Sequence, residues 1–125
     1  MSTTAIVVFS DPKAGGEEAL GRLFNALFLA YELKEKDETV ELIFQGAGSR
    51  WPEVIAAPGH PAQTLYGMVQ DKVRGVCGGC ADVFGAATGA EAAGAKLVRE
   101  RMIPGTTGVI DLSLYLSPDA RLVTF

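Results

Sequence analysis

The stretch Arg74-Gly75-Val76-Cys77-Gly78-Gly79-Cys80-Ala81-Asp82 carries both cysteines of the chain, with two glycines between them. Thiols at this spacing support four readings: a redox pair, half of a metal site, a sulfur-carrying nucleophile with a helper, or two small core residues. The flanking residues narrow the choice. Val73 to Cys77 reads as a short strand, the glycines give a tight turn, and a helix is predicted to start at Cys80 or Ala81. A thiol at a helix N-terminus faces unpaired backbone N–H groups and the positive end of the dipole. Both favour the thiolate, and such cysteines titrate at about 3.5 to 7.5 instead of about 8.5. Cys80, nearer the expected helix start, is the favoured nucleophile. A zinc site wants four ligands and the chain offers two Cys and one His, so no metal is expected. A thioredoxin-type motif would have Trp before the first Cys and Pro between the pair, and this one has neither.

The cysteine turn is one of three loops that leave strand ends. The others are Ser10 to Gly16 and Gln45 to Trp51. In an open parallel sheet, ligands bind beyond the carboxyl ends of the strands, so all three loops are expected on one edge. That makes Ser10, Gly46, Gly48, Arg50 and Trp51 candidate lining residues. Arg50-Trp51 would hold an anion or a partner, or else be a surface Arg beside a half-buried Trp. His60, the single His, is an ordinary loop residue or a proton carrier beside a thiolate. The first loop has the placement of a phosphate loop but lacks its Gly-Lys-Ser/Thr ending.

These loops need a scaffold, and the rest of the chain supplies one. Ala5-Ile6-Val7-Val8-Phe9 is a continuous apolar run, as in a strand buried on both faces. A helix over 17–36 has Leu20, Leu23, Phe24, Leu27 and Tyr31 on one face. Thr39 to Phe44 is a second strand, a helical turn is expected near 53–56, and a helix is expected over 62–72. Strand–helix–strand–helix–strand order argues for a parallel sheet covered by helices on both faces. Thr88 and Glu91 have capping-box spacing. The stretch 95–98 fits a fourth strand, and 90–101 equally fits one helix. Ile110, Leu112, Leu114 and Leu116 alternate like a strand, yet Val109, Leu112 and Leu116 also fit a helix capped by Thr106 or Thr107.

Length and composition set the outer bounds. A chain of 125 residues, 48% hydrophobic and 21% charged, is expected to be a single globular domain over 1–125. A net charge of −4 with no basic run speaks against nucleic acid. The N-terminal residues lack a basic flank, and the most apolar stretch, 23–33, is too short to cross a bilayer. The expected address is the cytosol, where thiols stay reduced.

Taken together, the residues resemble the DsrE/DsrF-like, or YchN-like, proteins, which include the TusD-type sulfur-relay subunits. The similarity runs from the first strand at Ile6 to Phe9, through Val40 to Gly48 and Val76 to Ala81 with Gly85, to Arg121-Leu122-Val123-Thr124-Phe125. Phe84 stands where those relatives often have Arg. The resemblance implies a three-layer α/β sandwich with a five-stranded parallel sheet, packed as a homo-oligomer, trimer or hexamer. It implies that 95–98 is the fourth strand and that 109–116 is a helix. It also implies a persulfide on one cysteine, Cys80, with Cys77 as a second thiol, exchange with a sulfur donor or acceptor protein, and no cofactor. Two alternatives stay open: a non-catalytic oligomeric binding protein of this fold, and a Cys-x-x-Cys dithiol redox protein.

Overall fold

The computed structural model describes residues 2–125. Its spine is a five-stranded, wholly parallel sheet in the order β4-β3-β2-β1-β5. The strands are β1 (Thr3–Val8), β2 (Thr39–Phe44), β3 (Val73–Cys77), β4 (Leu97–Val98) and β5 (Ala120–Thr124). β1 lies between β2 and β5, pairing Thr3 with both Thr39 and Ala120. Successive side chains alternate between faces. Ile6, Val8, Leu42, Phe44 and Val76 join one core cluster, while Ala5, Val7, Ile43, Cys77 and Val98 join the other.

The first face is covered by helices. The long one, α1 (Gly16–Glu35), buries Ala19, Leu23, Ala26, Leu27 and Ala30. Leu20, Phe24 and Tyr31, expected on the same face as Leu23 and Leu27, are only partly buried against the core. The three alanines take the central line because a small side chain lets the helix approach the sheet closely. A 3-10 turn over Gly46–Arg50 runs into α2 (Trp51–Ile55), with Pro52 in its first turn, where a missing N–H leaves no bond unmade. The predicted 62–72 helix divides into α3 (Gln63–Val69) and a 3-10 turn at Gln70–Lys72.

The second face is covered differently. β4 lies at the edge beyond β3, and β5 lies on the far side of β1. The chain leaving Val98 therefore crosses the sheet, placing Val109, Ile110, Leu112 and Tyr115 over the second face. This third layer is thin. In place of the helix expected over 109–116, Val109 bridges Arg101, and Asp111 caps a single 3-10 turn, Leu112–Tyr115, by accepting from Ser113 N (3.1 Å). Neither period fits, because Leu114 and Leu116 face solvent.

Two further expectations are corrected around the cysteines. The helix after β3 starts earlier than predicted: α4 spans Gly78–Val83 and Cys77 is its N-cap. The residues 87–92 form α5 (Ala87–Ala92) with Ala86 at the N-cap, so Thr88 lies inside the helix and caps nothing. β4 is only two residues long because the sheet edge reaches it through Val76 and Cys77 alone.

Candidate functional site

The three loops at the carboxyl ends of β1, β2 and β3 do meet. Trp51 Nε1 donates to Ser10 O (2.8 Å) and Ser10 Oγ (3.2 Å), tying the second loop to the first. Arg50 Nη1 donates to both carboxylate oxygens of Asp11 (3.1 and 3.0 Å), and its guanidinium stacks over Phe84 after α4. Arg50 is thereby neutralised, so it is not the free anion-holding cation that the sequence offered. That pair, with the Lys13 backbone N–H contributing most, holds the Asp11 carboxyl below its ordinary value. A Cβ on Gly48 would lie 2.1 Å from Val8 O, so only glycine lets the second loop run this close to the end of β1.

Both thiols are free. Cys77 points to the second sheet face and is completely buried beside Ile110, whereas Cys80 is half-buried at the edge of the same cluster. Their side chains meet, and the Cys80 thiol faces the Cys77 sulfur. Backbone N–H groups of Cys80, Ile110 and Gly79 in the surroundings of the Cys77 sulfur also favour its thiolate. With the Cys80 thiol as the largest influence, they outweigh burial and bring Cys77 down to about 6. Cys80 moves the other way, pushed up by the neighbouring Cys77 sulfur and then by burial, while the Gly46 N–H opposes the rise. The surroundings therefore favour the charge on Cys77 over Cys80, the favoured nucleophile of the sequence. The largest cause is the Cys80 thiol beside the Cys77 sulfur, and the N-cap position of Cys77 adds the N–H groups of the turn. In a six-residue helix the effect comes from individual N–H groups of the turn, not from a long dipole.

Chemically, the pair is a divided nucleophile. The half-buried sulfur carries the proton, and the fully buried sulfur carries the charge that can take it. At neutral pH the Cys77 thiolate is positioned to deprotonate Cys80 as Cys80 attacks an incoming electrophile.

Gly46, a weak sequence candidate, thus touches the reactive sulfur through its N–H. Ser10, Gly48, Arg50 and Trp51 act as struts between loops. His60 accepts from Ala62 N through Nδ1 (3.1 Å) and meets the Trp51 ring edge-on, with 6.3 Å between centroids. Burial lowers its pKa, and none of its hydrogen bonds reaches a cysteine.

Sequence reasoning missed Arg99, Asp82, Gly108 and Ile110. Arg99 follows β4 directly, so the carboxyl-end rule applies to it too. The two-residue length of β4 hid that signal. Among the described residues there is no cluster of metal-ligating side chains and no helix long and apolar enough to cross a membrane.

No protein-family model matches the sequence. An uncharacterised protein of Methanocaldococcus jannaschii is 32% identical over 62 residues, half of this chain and half of that protein. The chain thus aligns with about half the length of that curated relative. Two solved structures share the fold over almost the whole length. A conserved protein of unknown function from Bacteroides thetaiotaomicron superposes with a TM-score of 0.64 at 21% identity, covering 99% of this chain and 95% of that one. The ychN protein from E. coli superposes with a TM-score of 0.60 at 20% identity, covering both chains fully. The fold is therefore YchN-like.

Proposed function

We propose that the protein is a sulfur carrier in which Cys80 accepts sulfane sulfur and Cys77 serves as its base and resolving thiol. The observation that carries this reading is the difference within the pair: a half-buried Cys80 against a completely buried, acidic Cys77. In the loading step, Cys80 Sγ attacks the outer sulfur of a donor persulfide R–S–SH. The Cys80 Sγ–S bond forms, the donor's S–S bond breaks, R–S⁻ leaves, and the Cys80 proton moves to Cys77. An acceptor thiolate then takes the outer sulfur and leaves Cys80 as thiolate. Alternatively, Cys77, again ionised, attacks Cys80 Sγ. That closes a Cys77–Cys80 disulfide and releases hydrosulfide, and an external dithiol must then reduce the pair. Exchange of this kind follows thiolate fraction and access, which the turn divides between the two sulfurs, charge on Cys77 and access on Cys80. No cofactor takes part.

The protein partners in this reading are a sulfur donor, a sulfur acceptor and further copies of the chain. The thin second layer leaves Met102, Ile103, Leu114 and Leu116 about half or more exposed, a surface suited to burial in a homo-oligomer. A trimer or hexamer, as the resemblance implies, would cover it.

The contact between two free thiols also favours a second reading, a dithiol redox protein cycling a Cys77–Cys80 disulfide. A transfer assay separates them. Protein loaded from a small persulfide and freed of donor is mixed with an acceptor thiol. Sulfane sulfur is then measured on both. A carrier passes sulfur on in a Cys80-dependent manner. Transfer unaffected by Cys80→Ser defeats the carrier reading, and disulfide formation without any bound sulfur supports the redox one.

A further inference from the structure

Residues 99–110 form a strap across the cysteine turn. Arg101 and Val109 exchange backbone hydrogen bonds (2.9 Å each), closing the strap on itself. Gly108 O accepts from Gly79 N (2.7 Å), and the Ile110 N–H favours the Cys77 thiolate. The side chain of Arg99 lies flat over Gly78: a Cβ there would fall 2.5 Å from Arg99 Cγ and 2.9 Å from Cζ. Its guanidinium forks onto Asp82 of α4 (2.7 and 3.2 Å) and donates to Thr107 Oγ1 (2.7 Å). Thr107 Oγ1 donates to the same Asp82 carboxylate. One guanidinium therefore joins the end of β4, the far limb of the strap and the helix that carries Cys80.

We propose that Arg99 is a positioning residue that determines which thiol of the pair is open. Clamped by Asp82 and Thr107, it holds the strap down over Cys77 and leaves Cys80 as the sulfur a donor can reach. Without the clamp, the strap lifts more often, Ile110 moves off the Cys77 sulfur, and both thiols become targets. The inference rests on the pair being reactive, as in the carrier reading. It is separate from the identity of the electrophile.

The test is alkylation of the native protein with iodoacetamide, with the label placed on each cysteine by fragment-ion mass spectrometry. In the parent protein, Cys80 labels first and Cys77 is protected. Arg99→Gln is expected to raise the Cys77 rate about two- to fivefold while Cys80 stays within about twofold, the range a single exposed ion pair sets for local opening. Asp82→Asn removes the clamp from the other side and gives the same shift. Gly78→Ala does so by pushing a methyl into Arg99. Arg99→Lys keeps the charge but not the fork and falls between. A Cys77-to-Cys80 ratio unchanged in Arg99→Gln and Asp82→Asn overturns the inference. If one of these variants loses its fold, both cysteines label at the unfolded rate, and the ratio in the others decides. Failure of Cys80 to label in any native form instead overturns the carrier reading.

Discussion

Replacing Cys80 with Ala separates the two sources of the low Cys77 pKa. The Cys80 side chain is the largest influence holding Cys77 at about 6, and N–H groups of the turn and strap supply the rest. In Cys80→Ala the N–H groups remain and no side-chain donor replaces the thiol, so the Cys77 midpoint should rise by about one to two units and stop short of the ordinary value of about 8.5. A rate at one pH reports this poorly. At pH 7 a thiol of pKa about 6 is roughly nine-tenths ionised, against roughly 3% at about 8.5, a gain of about thirtyfold. The more acidic thiolate is also a weaker nucleophile. With a Brønsted slope of about 0.4–0.5, a drop of about 2.5 units gives back about 10- to 18-fold. The net advantage is only about two- to threefold, within reach of steric effects. The midpoint itself is decisive, and ultraviolet absorbance of the thiolate reads it without any need for access. The parent protein should show one thiolate appearing near pH 6 and the second only far into alkali. In Cys77→Ser, the remaining Cys80 should return toward the ordinary thiol value, since its upward shift comes first from Cys77. Two thiolates appearing together near the ordinary value in the parent protein would refute the shared-proton geometry.

Other parts of the structure make separate predictions. Gly48→Ala forces a methyl onto Val8 O and is expected to destabilise the fold by about 3 kcal/mol, measured by urea unfolding. Tyr115 OH donates to Glu41 Oε1 (2.9 Å), so Tyr115→Phe should cost roughly 1–2 kcal/mol near neutral pH. The same residue has an alkaline signature. Burial first, then the bond to Glu41, raise Tyr115 from 10.0 to about 12. Between those values the unfolded chain releases a proton that the folded chain keeps, so stability falls as pH rises. Tyr115→Phe should remove that slope in unfolding curves collected across the window. Leu116→Glu, on the exposed apolar face, should convert an assembly to smaller species in sedimentation, and an unchanged species would remove that face from the interface.

The central sheet was legible because β1 is a continuous apolar run and strands alternate with helices between turn-rich loops, so the parallel order followed. β4 was harder, since two residues carry no period and only the edge of β3 holds them. The segment over the second face misled both templates. Its spaced leucines suggested a strand or a helix, yet Leu114 and Leu116 point to solvent and a local Asp111 cap sets the only regular turn. At the site, the meeting of three loops was readable from strand order, and Gly46 was among the candidates. The roles within the pair were not. They depend on the helix starting at Gly78, and on Ile110 and Arg99 returning from 20 or more residues away, which no local spacing encodes.

Sulfur loading is tested most directly by intact mass under non-reducing conditions after exposure to a persulfide donor. The account predicts a gain of one sulfur atom in the parent protein and in Cys77→Ser, and none in Cys80→Ser. A parent protein that gains no sulfur, or a Cys80→Ser variant that gains it equally, would contradict the assignment of Cys80 as the carrier.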